Sequence, residues 1–421
     1  MTMAWLTTSA RRAALALAVL ASNGMAAAAP DLSLASRRAD FEQLVKAVEE
    51  DDVYLSAGGH CWAGIRERLA ARVDAAATED AWRRVLEDAI DELHDFHAGV
   101  SPDSSEVRWA VPTSADLWAE WRGERAIVNA VRAGSDAARA GVAVGDEVVR
   151  VNGVPITAAT QAELHCDAAR TDATARRWAL LTQLTGRRGA ARTFELRDAA
   201  GTLRTVSLPA ARRFDRPKEA VTTQRLSPEI ALIRLNNSIG RNETVAAFDA
   251  ALASVRDAPG LILDLRDVPS GGNSTVALGI LGRFVSQRLA YQRHRVPAYG
   301  LPDVERNWIE EVAPRGPFTY TGRLVVLVDA WTGSMGEGMA VGFDAMQRAS
   351  VVGTAMAGLA GSVDQVKLNA TGISVQFPTE QLFHIDGTLR HHWRPPVEVS
   401  PVTGEDAVLQ RGRSLLESTL R

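Results

Sequence analysis

Leu324-Val325-Val326-Leu327-Val328-Asp329-Ala330-Trp331-Thr332-Gly333-Ser334-Met335-Gly336-Glu337-Gly338-Met339-Ala340 is the stretch whose reading decides the fold. Residues 324–328 are apolar without a break, which predicts a strand buried on both faces rather than one with a wet side. The small residues Gly333, Ser334, Gly336 and Gly338 then predict a tight turn into a helix over 336–346. The same grammar recurs on either side: a strand over 230–235, a helix over 245–255, a strand over 261–265 and another starting at Val351-Val352. Apolar strands alternating with helices predict an α/β layer around a mostly parallel sheet.

Upstream the character changes. Residues 126–128 read as a strand, and Gly145-Asp146-Glu147-Val148-Val149-Arg150-Val151-Asn152-Gly153 reads as a strand closed by an Asn-Gly turn. Residues 160–190 read as helical, and 192–196 and 202–208 alternate around Gly201 as a hairpin. Further upstream, Phe41, Leu44, Val45 and Val48, and then Trp82, Val85, Leu86, Ile90 and Leu93, recur at helical spacing. The second pattern runs into Glu92-Leu93-His94-Asp95-Phe96-His97-Ala98-Gly99-Val100, where Gly99 and Pro102 stop it. At the start, Arg11 and Arg12 precede a short apolar run and the small residues 26–29, the pattern of a secretory signal peptide. The run is too short for a permanent span, which takes about 20 residues. The expected organisation is therefore a signal peptide over 1–29, a helical region over 30–105, a β-rich domain over 106–212 and an α/β domain over 213–421.

A chain of 421 residues, 46% apolar and 23% charged, is an ordinary globular protein of more than one domain. A formal charge of −4 offers no basic excess to hold nucleic acid. Cys61 and Cys166 are the only cysteines, and either a disulfide or two buried thiols is compatible with them. Only Lys46, Lys218 and Lys367 are lysines, so lysine chemistry has few candidates.

The residues suited to chemistry sit where strands end. Ser334, at a strand-to-helix turn, can project its hydroxyl beside free helix N–H groups, as a nucleophile or as a plain helix cap. Leu261-Ile262-Leu263-Asp264-Leu265-Arg266-Asp267-Val268-Pro269-Ser270-Gly271-Gly272 delivers another turn, in which Gly271 and Gly272 allow close backbone approach and oxyanion donation, or merely a connection. His97 is a candidate general base, and also a candidate structural group. His94, Asp95 and His97 together are an alternative metal set.

Taken in order, these segments resemble the serine peptidases of the carboxyl-terminal-processing and tricorn-core protease family. Leu93-His94-Asp95-Phe96-His97 looks like that family's L-x-D-x-H segment, and the run from Ala137 to Gly153 looks like part of a PDZ domain. The run from Leu261 to Gly272 and the small-Ser-x-small-Glu pattern from Gly333 to Glu337 complete the set. The resemblance implies a Clp-protease- or crotonase-like α/β core with an inserted PDZ-like domain. It implies an exported, periplasmic or secreted serine endopeptidase without cofactor or metal. Its sites would be Ser334 as nucleophile, His97 as base, and Gly271 or Gly272 with Met335 as backbone oxyanion donors. Protein or peptide substrates follow, with a peptide C-terminus at the PDZ-like domain.

One branch of the family uses a lysine within G-K-G-S-V. Here the matching stretch is Gly353-Thr354-Ala355-Met356-Ala357-Gly358-Leu359-Ala360-Gly361-Ser362-Val363, with Leu359 or Ala360 at the lysine place, so the resemblance points to the tricorn-like Ser-His branch. That branch carries a Glu shortly before its closing segment. Here Thr388-Leu389-Arg390-His391-His392-Trp393-Arg394-Pro395-Pro396 has no carboxylate, which leaves Asp386 and Glu380 as the expected acids. A non-catalytic relative that binds peptides or proteins is the alternative function.

Overall fold

The computed structural model describes residues 31–214, 217–298, 300–301 and 304–421; the expected signal peptide lies outside the described residues. The apolar runs form a six-stranded sheet in the order Val397–Glu398, Ser350–Gly353, Arg323–Val328, Gly260–Asp264, Ile230–Leu235 and Val221–Arg225. All neighbours pair in parallel except the last strand, which is antiparallel to Ile230–Leu235. Strand alternation splits the apolar side chains between two faces. Ala231, Ile233, Leu263, Val326 and Val328 pack against helices Glu243–Ser254, Ser274–Leu281 and Met335–Ala345. Ile230, Ile262, Val325 and Leu327 pack on the opposite face with Val408 and Leu416 of helix Ala407–Leu420. Burial on both faces is the reason these strands lack polar alternation.

The β-rich domain is a second six-stranded sheet, antiparallel, running Leu117–Arg122, Arg125–Val131, Glu147–Val151, Arg192–Arg197 and Leu203–Leu208, with Val154–Pro155 beside the third. Helix Ala173–Thr185 packs against Leu117–Arg122, and Asp167–Thr171 precedes it. The helical stretch expected over 160–190 is thus broken and shorter, because Asp172 caps a fresh start and Gly186 ends it. Buried Arg192 forks onto Asp116 at 2.9 and 3.0 Å, which leaves neither charge uncompensated inside this domain.

A third sheet has no counterpart in the sequence reading. It pairs Gly99–Ser101, Ser374–Phe383, Leu289–Pro297 and Glu305–Val312 in that order, with Ser362–Lys367 also on Ser374–Phe383. The three N-terminal helices, Leu34–Asp51, Ile65–Ala75 and Glu79–Asp91, share one core with Val375 and Phe377 of this sheet and with Leu368 and Ile373 of the turn between two of its strands. Among the described residues no helix is long and apolar enough to cross a membrane.

Cys61 and Cys166 form a disulfide, with a Cα–Cα distance of 5.5 Å across 105 residues of sequence. It staples the loop ahead of Ile65–Ala75 to the β-rich domain. Closing so long a loop restricts the unfolded chain, which stabilises by about 2–4 kcal/mol. Reduction, and separately the Cys61→Ser/Cys166→Ser variant, are expected to lower stability by that amount. Urea midpoints with and without reductant check it, and the reductant should have no effect on the variant.

Candidate active site

Two adjacent parallel strands build the floor. Gly260–Asp264 and Arg323–Val328 pair with Leu263 opposite Val326 and Asp264 opposite Leu327, so the turns that follow leave the same edge of the sheet. Gly333 N donates to Val268 O at 3.1 Å and binds one turn to the other. Ser334 then sits at the N-terminus of Met335–Ala345 with φ 51° and ψ −115°, a strained backbone for a residue with a Cβ. Gly271, at φ 60°, lies directly against it. A Cβ on Gly271 would stand 2.5 Å from Ser334 Cβ and 2.8 Å from Met335 N, so only glycine fits. Met335 is the first helical residue, where an N–H has no intrahelical acceptor.

His97 reaches this turn from 237 residues away, its Nε2 3.0 Å from Ser334 Oγ. Strand Gly99–Ser101, immediately after it, is pinned to Ser374–Gln376 by pairing, and Gln376 Nε2 donates to His97 O at 2.9 Å. The other ring nitrogen, Nδ1, lies 2.7 Å from Ala360 O. A carbonyl only accepts, so in the neutral ring Nδ1 carries the hydrogen and Nε2 is left as the acceptor for the Ser334 O–H. Burial first, and then the Arg390 guanidinium, hold the imidazole down at about 4, so the ring is neutral at pH 7.

The expected acids are elsewhere, a correction to the sequence reading. Glu380 lies on the Ser374–Phe383 strand and bonds His294. At about 3.3 Å per residue it stands roughly 13 Å along the strand from Gln376, the residue that touches His97. Asp386 is past the end of that strand, with His384 Nδ1 at 3.0 Å and Thr388 N at 2.8 Å. Neither carboxylate meets His97. The metal alternative also finds its residues divided. His94 Nδ1 meets Gly59 O at 2.7 Å, Asp95 accepts from His97 N at 2.9 Å, and His97 is engaged as described.

Two participants carried no role in the sequence reading. The Ala360 carbonyl was invisible, because any residue supplies one. Glu337 had a readable signal, since Ser-x-x-Glu ahead of an apolar helix is a capping pattern. Its fully buried carboxylate accepts from Ser334 N at 2.8 Å, Gly358 N at 2.9 Å and Leu359 N at 3.2 Å. Gly272 lines the cavity in front of Ser334, a space of about 400 Å³ walled by Phe96, Val111, Pro112 and Leu359 and also by the polar Arg132, Asn237 and Asp267. The arrangement offers a hydroxyl hydrogen-bonded to a neutral imidazole beside backbone N–H groups, with a cavity of mixed polar and apolar lining in front of it. Gly271→Ala is expected to cost about 1–3 kcal/mol through strain and overpacking against Ser334, measured as a lowered thermal midpoint.

Comparison with known proteins agrees with this architecture. Residues 229–399 match Peptidase family S41, and residues 127–166 match the PDZ domain. Mature CPAF, solved in complex with lactacystin, is 15% identical with a TM-score of 0.60, over 92% of this chain and 97% of that one. The photosystem II D1 C-terminal processing protease is 19% identical with a TM-score of 0.54, over 87% and 94% of the two chains. A peptidase-like structure from Parabacteroides merdae is 14% identical with a TM-score of 0.57, over 90% and 96%. At these identities the likenesses show the fold. No curated protein sequence matches the chain.

Proposed function

From the premise of an S41 peptidase region with a PDZ domain ahead of it in sequence, we propose that this chain is an exported serine endopeptidase with Ser334 as nucleophile and His97 as general base. The observation that carries the reading is the 3.0 Å approach of His97 Nε2 to Ser334 Oγ, on a serine held at positive φ. In the first step Nε2 takes the Ser334 hydroxyl proton as Oγ attacks the scissile carbonyl carbon. The oxyanion that forms is met by the N–H of Met335 and that of Gly272, because the Gly271 N–H already donates to Val268 O at 3.4 Å. The imidazolium then gives its proton to the leaving amine as the C–N bond breaks. A water, deprotonated by the same nitrogen, hydrolyses the acyl-serine and returns the hydroxyl. The disulfide supports export, because such bonds persist in oxidising compartments. The PDZ domain supports protein or peptide substrates, with a C-terminal segment added at its sheet edge.

A fluorophosphonate probe tests the reading. Wild-type protein is expected to be labelled at Ser334 and to cleave casein. Ser334→Ala should lose both, with the rate down roughly 10³-fold or more. His97→Ala should match it rather than add to it, because the two residues act as a unit. A folded protein that neither labels nor cleaves but retains peptides would leave the non-catalytic binding relative as the better reading.

The pH dependence follows from the state of the base. Only the neutral ring accepts a proton from Ser334. With His97 held at about 4, the competent form persists as pH falls from neutral to about 5 and is lost below that. The charged and titratable groups facing this corner are Arg390, Asp95 and Glu337. Burial pushes Asp95 up to about 7, so falling pH also neutralises an anion that would favour the imidazolium. The expected profile of kcat/KM is therefore flat across the ordinary histidine range, with its acidic limb near about 4. A limb at about 6.5 would place the base in an ordinary aqueous environment.

A further inference from the structure

The segment that holds His97 in place, residues 357–361, has an almost complete backbone hydrogen-bond account. Arg177 of the β-rich domain donates to Ala357 O at 2.8 Å. Glu337 accepts from Gly358 N and Leu359 N, and the Ala360 amide faces the Asp95 carboxylate. Arg390 Nη2 donates to Leu359 O at 3.2 Å and to Gly361 O at 2.6 Å. The carbonyl between those two, Ala360 O, turns the other way and meets His97 Nδ1. Glu337 and Arg390 are both buried, the one holding amides of this strap and the other its carbonyls. Arg390 stands within Thr388-Leu389-Arg390-His391-His392, a stretch without a carboxylate.

We propose that Arg390 is a positioning residue for His97: together with Glu337 it fixes residues 358–361 so that the Ala360 carbonyl meets the imidazole, the orienting task a carboxylate performs in a Ser-His-acid triad. This rests on the Ser334–His97 reading above. The physical logic is that a single carbonyl orients a ring only if its own peptide cannot rotate. A cation on the two flanking carbonyls and an anion on the two preceding amides remove that freedom. The cation has a second consequence. Close to the ring it disfavours the imidazolium, so it keeps the base neutral while it aims it. The charged and titratable groups around the strap are Arg177, Glu337, Asp95, Tyr54, His391 and Arg390 itself.

The test measures kcat, KM and the pH dependence of kcat/KM for peptide hydrolysis by the full chain. Arg390→Met is expected to lower kcat about 10²-fold with KM little changed, as for a reacting group misplaced by about 1 Å. Its acidic limb should move up from about 4 toward the ordinary histidine value, because the neighbouring cation is gone. Arg390→Lys keeps the charge without the guanidinium geometry. It should leave the limb in place and recover part of kcat, which a merely structural role would not produce. Glu337→Gln turns an amide donor toward N–H groups that need an acceptor, and should lower kcat with KM unchanged. Should Arg390→Met fail to fold, Arg390→Lys and Glu337→Gln decide on the same readouts. Arg390→Met with wild-type kcat and an unmoved limb overturns the proposal, as do equal losses in the Met and Lys variants with no shift of the limb. Wild-type protein that is neither labelled by fluorophosphonate nor active is a different result, and overturns the Ser-His reading beneath it.

Discussion

The parallel pairing of Gly260–Asp264 with Arg323–Val328 is the constraint on which the candidate site depends. Parallel neighbours end at the same edge, so the two turns that follow them must share one space. Gly271 and Ser334 are the residues that meet there, close enough that a single methyl group on Gly271 would collide with the serine. The serine keeps a positive φ because the surrounding structure leaves it no alternative: Glu337 holds its amide, and the Gly333 amide is tied to Val268. Strain of about 1–3 kcal/mol survives only where packing over-determines the backbone in this way.

His97, the candidate base, arrives by a different route. Nothing local links His97 to Ser334, and the link is a short edge strand, Gly99–Ser101, that pairs with Ser374–Gln376. The three N-terminal helices share a core with the same sheet, which turns a weak three-residue strand into a fixed position. The disulfide adds a covalent restraint between this region and the β-rich domain, close to the loop that supports His94. The approach of His97 to Ser334 therefore depends on packing across separate parts of the chain rather than on any one element.

A carbonyl in place of a carboxylate changes the electrostatics more than the geometry. Both fix the ring tautomer by accepting from Nδ1–H, but only the anion offsets the positive charge of an imidazolium. Here burial and a nearby guanidinium both oppose that charge. The arrangement favours a neutral ring, available as an acceptor over a wide pH range, and disfavours the imidazolium. Glu337 does not serve as the missing acid, because its oxygens are occupied by backbone amides.

The α/β layer was legible because burial on both faces demands nearly continuous apolar strands, and the runs at 230–235, 261–265 and 324–328, broken only by Arg234 and Asp264, have no other economical use. The Ser334 turn and the Gly271-Gly272 turn were legible for the related reason that small residues are needed where backbones approach closely. The third sheet was not, since its strands Leu289–Pro297 and Glu305–Val312 carry mixed polar patterns that only pairing resolves. The partner of His97 Nδ1 was not legible either. Sequence pointed to carboxylates near in number, Asp386 and Glu380, but strand geometry carries one along the sheet and the other past its end. Residue type determined which side chains could do chemistry. Tertiary structure alone decided which backbone oxygen would meet His97 Nδ1, because a carbonyl is common to every residue and only folding selects one.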